Sequence, residues 1–149
     1  MPVNLYWPCD NFDPKTSHVI PAQIKKFYEA KVNNLNEVIV CGTGKATIEF
    51  LYVEDCAEAI VLATENYDKS DPVNIGAGFE LSISNLAFKI KEIIGFNGKI
   101  VWDKTKPDGQ PRRSLDTTRA LKEFGFKAEI NFDDGLVKTI QWYIKNRKS

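Results

Sequence analysis

Histidine and methionine each occur once in this sequence, and cysteine occurs only three times. One imidazole and three thiols (Cys9, Cys41 and Cys56) without a Cys-x-x-Cys spacing do not make up the ligand sets of a structural zinc, so no metal site is expected. An odd number of cysteines argues against a disulfide framework and for reduced thiols in the cytoplasm. Net charge is missing too: Lys plus Arg total 20 and Asp plus Glu total 20. Without a surplus of cations there is little to displace counterions from a phosphate backbone, which sets nucleic acid aside as a partner. Long apolar runs are absent, and stretches such as 59–63 fall far short of the roughly 18–20 residues that a membrane span needs. The opening Met-Pro-Val-Asn-Leu-Tyr-Trp-Pro has neither the basic region nor the apolar run of a signal peptide, and none is expected. What is present is 149 residues with 43% hydrophobic and 27% charged side chains, enough for one domain with a real core.

Apolar periodicity sets the organisation. Val3 to Tyr6 reads as the end of a strand closed by Trp7-Pro8, and Pro8 to Ser17 as a polar, ordered loop. Ser17 is a candidate helix cap with Pro21 in the first turn, and Ile20, Ile24, Phe27 and Tyr28 recur at helical spacing as far as about Lys31. Val38 to Val40 is a β-branched strand turned by Gly42-Thr43-Gly44, and a second strand is expected from Ile48 to Val53. The next helix carries Glu54 and Asp55 in its first turn, and Cys56, Ala57, Ile60, Val61 and Thr64 form its expected buried stripe. Pro72 to Ile75 reads as a strand, and Ser82 as the cap of a helix with Ile83, Leu86, Ile90, Ile93 and Ile94 on one side and Gly95 as its stop. Lys99 to Trp102 is a strand, Lys106 to Arg113 a polar loop and Thr117 to Phe124 a short helix. Asp133 to Lys145 is a last helix that turns Leu136, Val137, Ile140 and Ile144 inward.

Strands alternating with helices make the class α/β. Neither Gly42-Thr43-Gly44 nor Gly76-Ala77-Gly78 is followed by the third glycine and the helix of a dinucleotide-binding turn. A nucleotide-binding first half is therefore expected to be missing from this chain.

Six segments carry a resemblance. They are Pro2-Val3-Asn4-Leu5-Tyr6-Trp7-Pro8, Asp10-Asn11-Phe12, Ser17-His18-Val19-Ile20-Pro21, Glu49-Phe50-Leu51-Tyr52-Val53-Glu54-Asp55, Asn74-Ile75-Gly76-Ala77-Gly78 and Lys106-Pro107-Asp108-Gly109-Gln110-Pro111-Arg112. In this order they resemble the carboxy-terminal half of the GDP-L-fucose synthases, a family of extended short-chain dehydrogenases within the NAD-dependent epimerases and dehydratases. The resemblance spans essentially the whole chain. It implies that residues 1–149 form the substrate-binding part plus the last strands of a Rossmann sheet, with the amino-terminal NADP-binding half missing. It further implies an enzyme class that inverts C3 and C5 of GDP-4-dehydro-6-deoxy-D-mannose and reduces the C4 ketone with NADPH. The family exchanges these protons with a cysteine and a histidine, and uses a Tyr-x-x-x-Lys pair for the hydride step. Only the histidine has a counterpart here, as His18.

His18 is thus the catalytic candidate. An imidazole, with a reference pKa of about 6.5, suits proton exchange beside a carbonyl. On the residues alone it reads equally as a helix-start or loop histidine. By resemblance Pro2, Val3, Asn4 and Leu5, with His18, lie along the nicotinamide, at the carboxyl end of a parallel strand where such folds bind ligands. Lys26 matches a basic position at the nucleotide diphosphate and Asp108 a substrate-binding aspartate. Read locally, Lys26 belongs on a solvated helix face and Asp108 in a Pro-Asp-Gly turn. Arg112 and Arg113 are further cations within reach of phosphates. Four positions depart from the family pattern: Trp7 stands for a glycine, Cys9 for a histidine, Cys41 for a tryptophan and Ile48 for a substrate-facing arginine. The expected partners are a GDP-sugar and either a second copy of the chain or a separately encoded amino-terminal half. The alternatives are a non-catalytic binding half-protein and an epimerase or dehydratase of another nucleotide sugar.

Overall fold

The structure is a computed structural model that describes residues 1–13 and 15–147; Pro14, in the expected loop, lies outside the described residues. Its elements are β1 (Asn4–Tyr6), α1 (Val19–Val32), β2 (Glu37–Cys41), β3 (Thr47–Ile48), β4 (Phe50–Tyr52), α2 (Val53–Asn66), β5 (Leu81–Ser82), α3 (Ile83–Ile94), β6 (Lys99–Asp103), β7 (Arg112–Arg113), α4 (Thr118–Phe124) and α5 (Phe132–Asn146).

A short parallel sheet divides two apolar cores. β1 pairs with β4 in the register Asn4 to Phe50, Leu5 to Leu51 and Tyr6 to Tyr52. Because successive strand residues face opposite ways, Tyr6, Phe50 and Tyr52 enter one core while Val3, Leu5 and Leu51 join the other. The first core is built by the inward stripes of α1, α3 and α5, with Ile24, Phe27, Leu86, Ile90 and Leu136 fully buried. The second holds Val3, Leu51, Cys56, Ala59, Ile75 and the α4 residues Ala120 and Phe124. β2 and β6 pair in parallel over five positions and cover the far side of the first core, and β3 runs between antiparallel β5 and parallel β7.

The helix ends follow local chemistry. Ser82 Oγ accepts the Asn85 N–H at 3.1 Å to start α3, and Gly95 ends it at φ +71°. Asn131 caps α5, which starts one residue before the expected Asp133, by accepting the Asp133 N–H at 2.9 Å. Val137 is half-buried and Ile144 is exposed, so the inward face of α5 is narrower than its spacing suggests.

Several expected features differ. The strand expected over Ile48 to Val53 is broken at Glu49 into β3 and β4, and Val53 already belongs to α2. Glu49 is fully buried: its carboxylate accepts the N–H groups of Gly78 and Leu115, each at 2.8 Å, from two loops that no strand pairing would hold. The strand expected at Pro72 to Ile75 reduces to one parallel bridge between Ile75 and Pro2. α2 is rotated from its expected face. Asp55, Cys56 and Ala59 are buried, whereas Ile60 and Val61 are 56% and 51% exposed. The cause is Asp55, whose carboxylate accepts the backbone N–H groups of Glu129 and Ile130 and so turns its own face of the helix inward.

Candidate functional site

The site grows from the first turn of α1. His18, not Ser17, is the N-cap residue of this helix, with extended backbone and an exposed imidazole that makes no capping bond. The 10–17 loop that delivers it is tied by its own side chains: Asn11 Nδ2 donates to Thr16 Oγ1 at 2.8 Å and Asn11 Oδ1 accepts the Asp13 N–H at 2.9 Å. Across from His18 lies β1. Asn4 Nδ2 donates to the Glu49 carbonyl at 2.9 Å and fixes β1 to the segment joining β3 and β4.

Pro2, Val3, Asn4, Leu5 and His18 line one cavity of about 560 Å³, together with Trp7, Ile48, Phe50 and Arg113. A second cavity of about 310 Å³ is lined by Lys26, Asp108, Gln23 and Cys41, and it shares Val19 and Ile48 with the first. The residues singled out from the sequence therefore meet at two adjoining hollows along one face of α1. A larger hollow of about 690 Å³ lies around Ala30 to Asn36 at the other end of the helix and includes none of them.

The two substrate candidates are engaged in different ways. Lys26 Nζ donates to the Ile39 carbonyl at 2.8 Å, covering the free edge of β2. The Asp108 carboxylate accepts from Thr43 Oγ1 at 2.6 Å and from the Thr43 N–H, and these bonds hold its pKa below the usual carboxylate range. Gly42 makes this clasp possible: it sits at φ +83°, and a Cβ there would come within 2.2 Å of Asp108 Oδ1. Asp108 thus fastens residues 106–111 over the smaller cavity, while Arg112 and Arg113, expected to continue this loop, pair with β3 as β7.

The two arginines separate. Arg112 is forked onto Glu80, donating from Nε at 2.8 Å to Oε1 and 2.9 Å to Oε2, and this pairing holds the Glu80 carboxyl at a pKa of about 2. Arg113 forms no ion pair among the described residues and lines the His18 cavity. It is also the register partner of Ile48 on β3, so a guanidinium stands one strand away from the position where the family pattern has its arginine.

Sequence reasoning missed three contributors. Glu49 carried a signal, a lone carboxylate inside the apolar run Ile48 to Val53. Asp10 and Gln23 carried none. Asp10 is buried with one oxygen on the Asn11 N–H at 2.7 Å and the other unpartnered. Burial pushes its carboxyl above the ordinary value, against the pull of the Asn11 N–H and of His18. The buried side-chain atoms that lack a hydrogen-bond partner among the described residues are Asp10 Oδ2, Ser17 Oγ and Gln23 Oε1. All three lie in the stretch that surrounds His18. Native structures leave few such atoms.

An α/β unit with a strand end and a helix N-terminus beside paired cavities has the architecture of the open-sheet α/β proteins. Residues 1–76 match the NAD dependent epimerase/dehydratase family, and the chain belongs to that family. Along its length it is 47% identical over 146 residues to a probable GDP-L-fucose synthase 1 of Oryza sativa subsp. japonica, covering 98% of this chain and 44% of that protein. It is 49% identical to GDP-L-fucose synthase 1 of Arabidopsis thaliana, covering 98% of this chain and 45% of that one. The crystal structure of a GDP-L-fucose synthetase from Naegleria fowleri bound to NADP superposes with a TM-score of 0.89 at 32% identity, over 97% of this chain and 46% of that one. The chain thus spans less than half the length of these relatives.

Proposed function

We propose that this chain is the substrate-binding and proton-exchanging part of an NADPH-dependent GDP-4-dehydro-6-deoxy-D-mannose 3,5-epimerase/4-reductase, an enzyme that makes GDP-L-fucose. The observation that carries this reading is the meeting of Pro2 to Leu5 and His18 at one cavity that adjoins the hollow of Lys26 and Asp108. Three sequence segments, residues 2–5, residues 18–26 and the loop at Asp108, converge there.

The cavity suits the nicotinamide end of NADP. Val3, Leu5, Ile48 and Phe50 give it apolar walls of the kind that a flat, uncharged ring needs, and β1 presents its backbone beside them. When bound there, NADPH supplies the hydride for the C4 ketone. His18, at the mouth and free of a capping bond, is positioned to exchange protons at the carbons flanking that ketone. Arg113 takes the phosphate role that Ile48 leaves open, and Lys26 can leave the Ile39 carbonyl for a diphosphate oxygen because its side chain is exposed. Asp108 serves the substrate by holding the loop that roofs its cavity.

Hydride transfer also needs a dinucleotide-phosphate loop and a proton donor, and this sequence contains neither a Gly-x-x-Gly-x-x-Gly nor a Tyr-x-x-x-Lys segment. We therefore infer that an amino-terminal half carrying both motifs completes the enzyme, in the cytoplasm, where the three free cysteines stay reduced. Support comes from the apolar side chains Ile60 and Val61, which stand in solvent on α2, and from β1, which pairs as a strand with β4 alone among the described residues. The test is to co-express the chain with a polypeptide that carries both motifs. The pair should oxidise NADPH with the keto-sugar, whereas the 149-residue chain alone should not. His18→Gln in the pair should slow solvent deuterium entry at C3 and C5 on the order of a hundredfold. Deuterium entry at the parent rate would make His18 structural, and a pair that neither forms nor turns over would refute the reading.

A further inference from the structure

Trp7 carries a half-buried indole that joins neither apolar core among the described residues. Packing accounts for the other two tryptophans: Trp102 lies against Gly44, and Trp142 stacks on Phe12 with ring centroids 6.1 Å apart. Trp7 instead lines the cavity that His18 lines. Local chemistry holds it there. Pro8 favours extended backbone at the residue before it, and the Trp7 carbonyl accepts the Asp10 N–H at 3.3 Å across a turn at Pro8-Cys9. Phe50, the other aromatic ring at this cavity, belongs to the first core, where it meets Tyr6 edge-on.

An aromatic wall suits a ligand with an apolar face of its own. A hexose has C–H groups whose hydrogens are weakly positive, and the face of an aromatic ring is negative. A 6-deoxyhexose adds a methyl group, whereas a diphosphate offers no apolar surface. A hydroxyl on that methyl would lose water against the indole without gaining a partner. Position agrees with this. Trp7 lies two residues past Leu5, roughly 7 Å along an extended chain, beyond the strand proposed to lie along the nicotinamide.

We infer that the Trp7 indole is the wall against which the 6-deoxyhexose packs, and that it sets a preference for a methyl over a hydroxymethyl group on the sugar. This inference rests on the functional reading above and goes beyond it by assigning a specificity-determining residue.

Calorimetric titration of the whole 149-residue chain with GDP-L-fucose, GDP-L-galactose (the same sugar with a hydroxyl on C6) and GDP tests it. The parent should prefer GDP-L-fucose to GDP-L-galactose about tenfold. Trp7→Ala should bind GDP-L-fucose about tenfold more weakly and GDP within about twofold, and the preference between the sugars should shrink below about threefold. Trp7→Phe keeps a flat apolar ring and should retain most of both affinity and preference. Because Trp7 is outside both cores, the alanine variant should melt within about 3 °C of the parent. Parent-like or tighter binding of GDP-L-fucose by Trp7→Ala would overturn the inference and leave the functional reading intact. So would a preference between the sugars that Trp7→Ala leaves unchanged. An equal loss for GDP, with a large fall in melting temperature, would make the indole structural and overturn it too. If the parent bound none of the three compounds, the functional reading would fail and this inference with it.

Discussion

The two cores that flank the β1–β4 sheet are finished to different degrees. In the first, α1, α3 and α5 bury complete apolar stripes against one another, and β2 and β6 close the far side. In the second, α2 buries little more than Cys56 and Ala59 and turns Ile60 and Val61 outward, while Leu121 of α4 is 54% exposed. The first core is closed by elements of this chain, and α1, which lines it, carries the residues proposed to meet the ligand. The second has apolar surface to spare, and it adjoins β1, the strand proposed to lie along the cofactor. A chain that binds substrate with its closed region and recruits a partner through its open one would be built in this way.

The largest effect should come from Glu49, which joins the two regions through the Gly78 and Leu115 N–H groups. Glu49→Ala leaves two buried donors unpaired and should lower stability by about 3 kcal/mol or more, read as a fall in the urea midpoint. Next comes Leu136→Ala in the closed core. A cavity in this fully buried position should cost about 3 kcal/mol in the same measurement. Ile60→Ser in the open region should change stability by less than about 0.5 kcal/mol yet weaken association with an amino-terminal half. Comparable destabilisation by the Leu136 and Ile60 substitutions would erase the distinction between the regions.

Asp10 sharpens the comparison on the site side. Its folded-state pKa lies above the ordinary 3.8, so the folded protein holds that proton more tightly than the unfolded chain. Its contribution is therefore most favourable below pH 3.8 and is lost as the pH rises through the folded value. Asp10→Asn, which does not titrate, should melt at a higher temperature than the parent at pH 7, with the gap closing toward acid pH. A gap that widened in acid would mean that the carboxylate is stabilised rather than desolvated.

Much of this fold was legible because periodicity reports burial. Ile20, Ile24 and Phe27 on α1 and Leu86, Ile90 and Ile94 on α3 all point where their spacing sends them. Spacing failed on α2, where Ile60 and Val61 are the more apolar choice. Two backbone N–H groups 74 and 75 residues away hold Asp55 inward instead, and no local pattern encodes bonds of that range. The break at Glu49 has the same origin, since its partners lie 29 and 66 residues further along the chain. At the site, the resemblance supplied His18, Lys26 and Asp108. The difference between Arg112, paired with Glu80, and Arg113, facing the cavity, depends on strand alternation in a two-residue β7. Gln23 looks like any polar residue in a helix until its burial is seen.

Because His18 is the only histidine in the sequence, its imidazole gives a single, unambiguous set of proton resonances. Following those resonances by NMR while GDP-L-fucose is added to the chain tests most directly whether the converging segments form one binding site. The account predicts that they shift as the site fills, and shift less with GDP, which lacks the hexose. Saturable binding of GDP-L-fucose with the His18 resonances unmoved would contradict it.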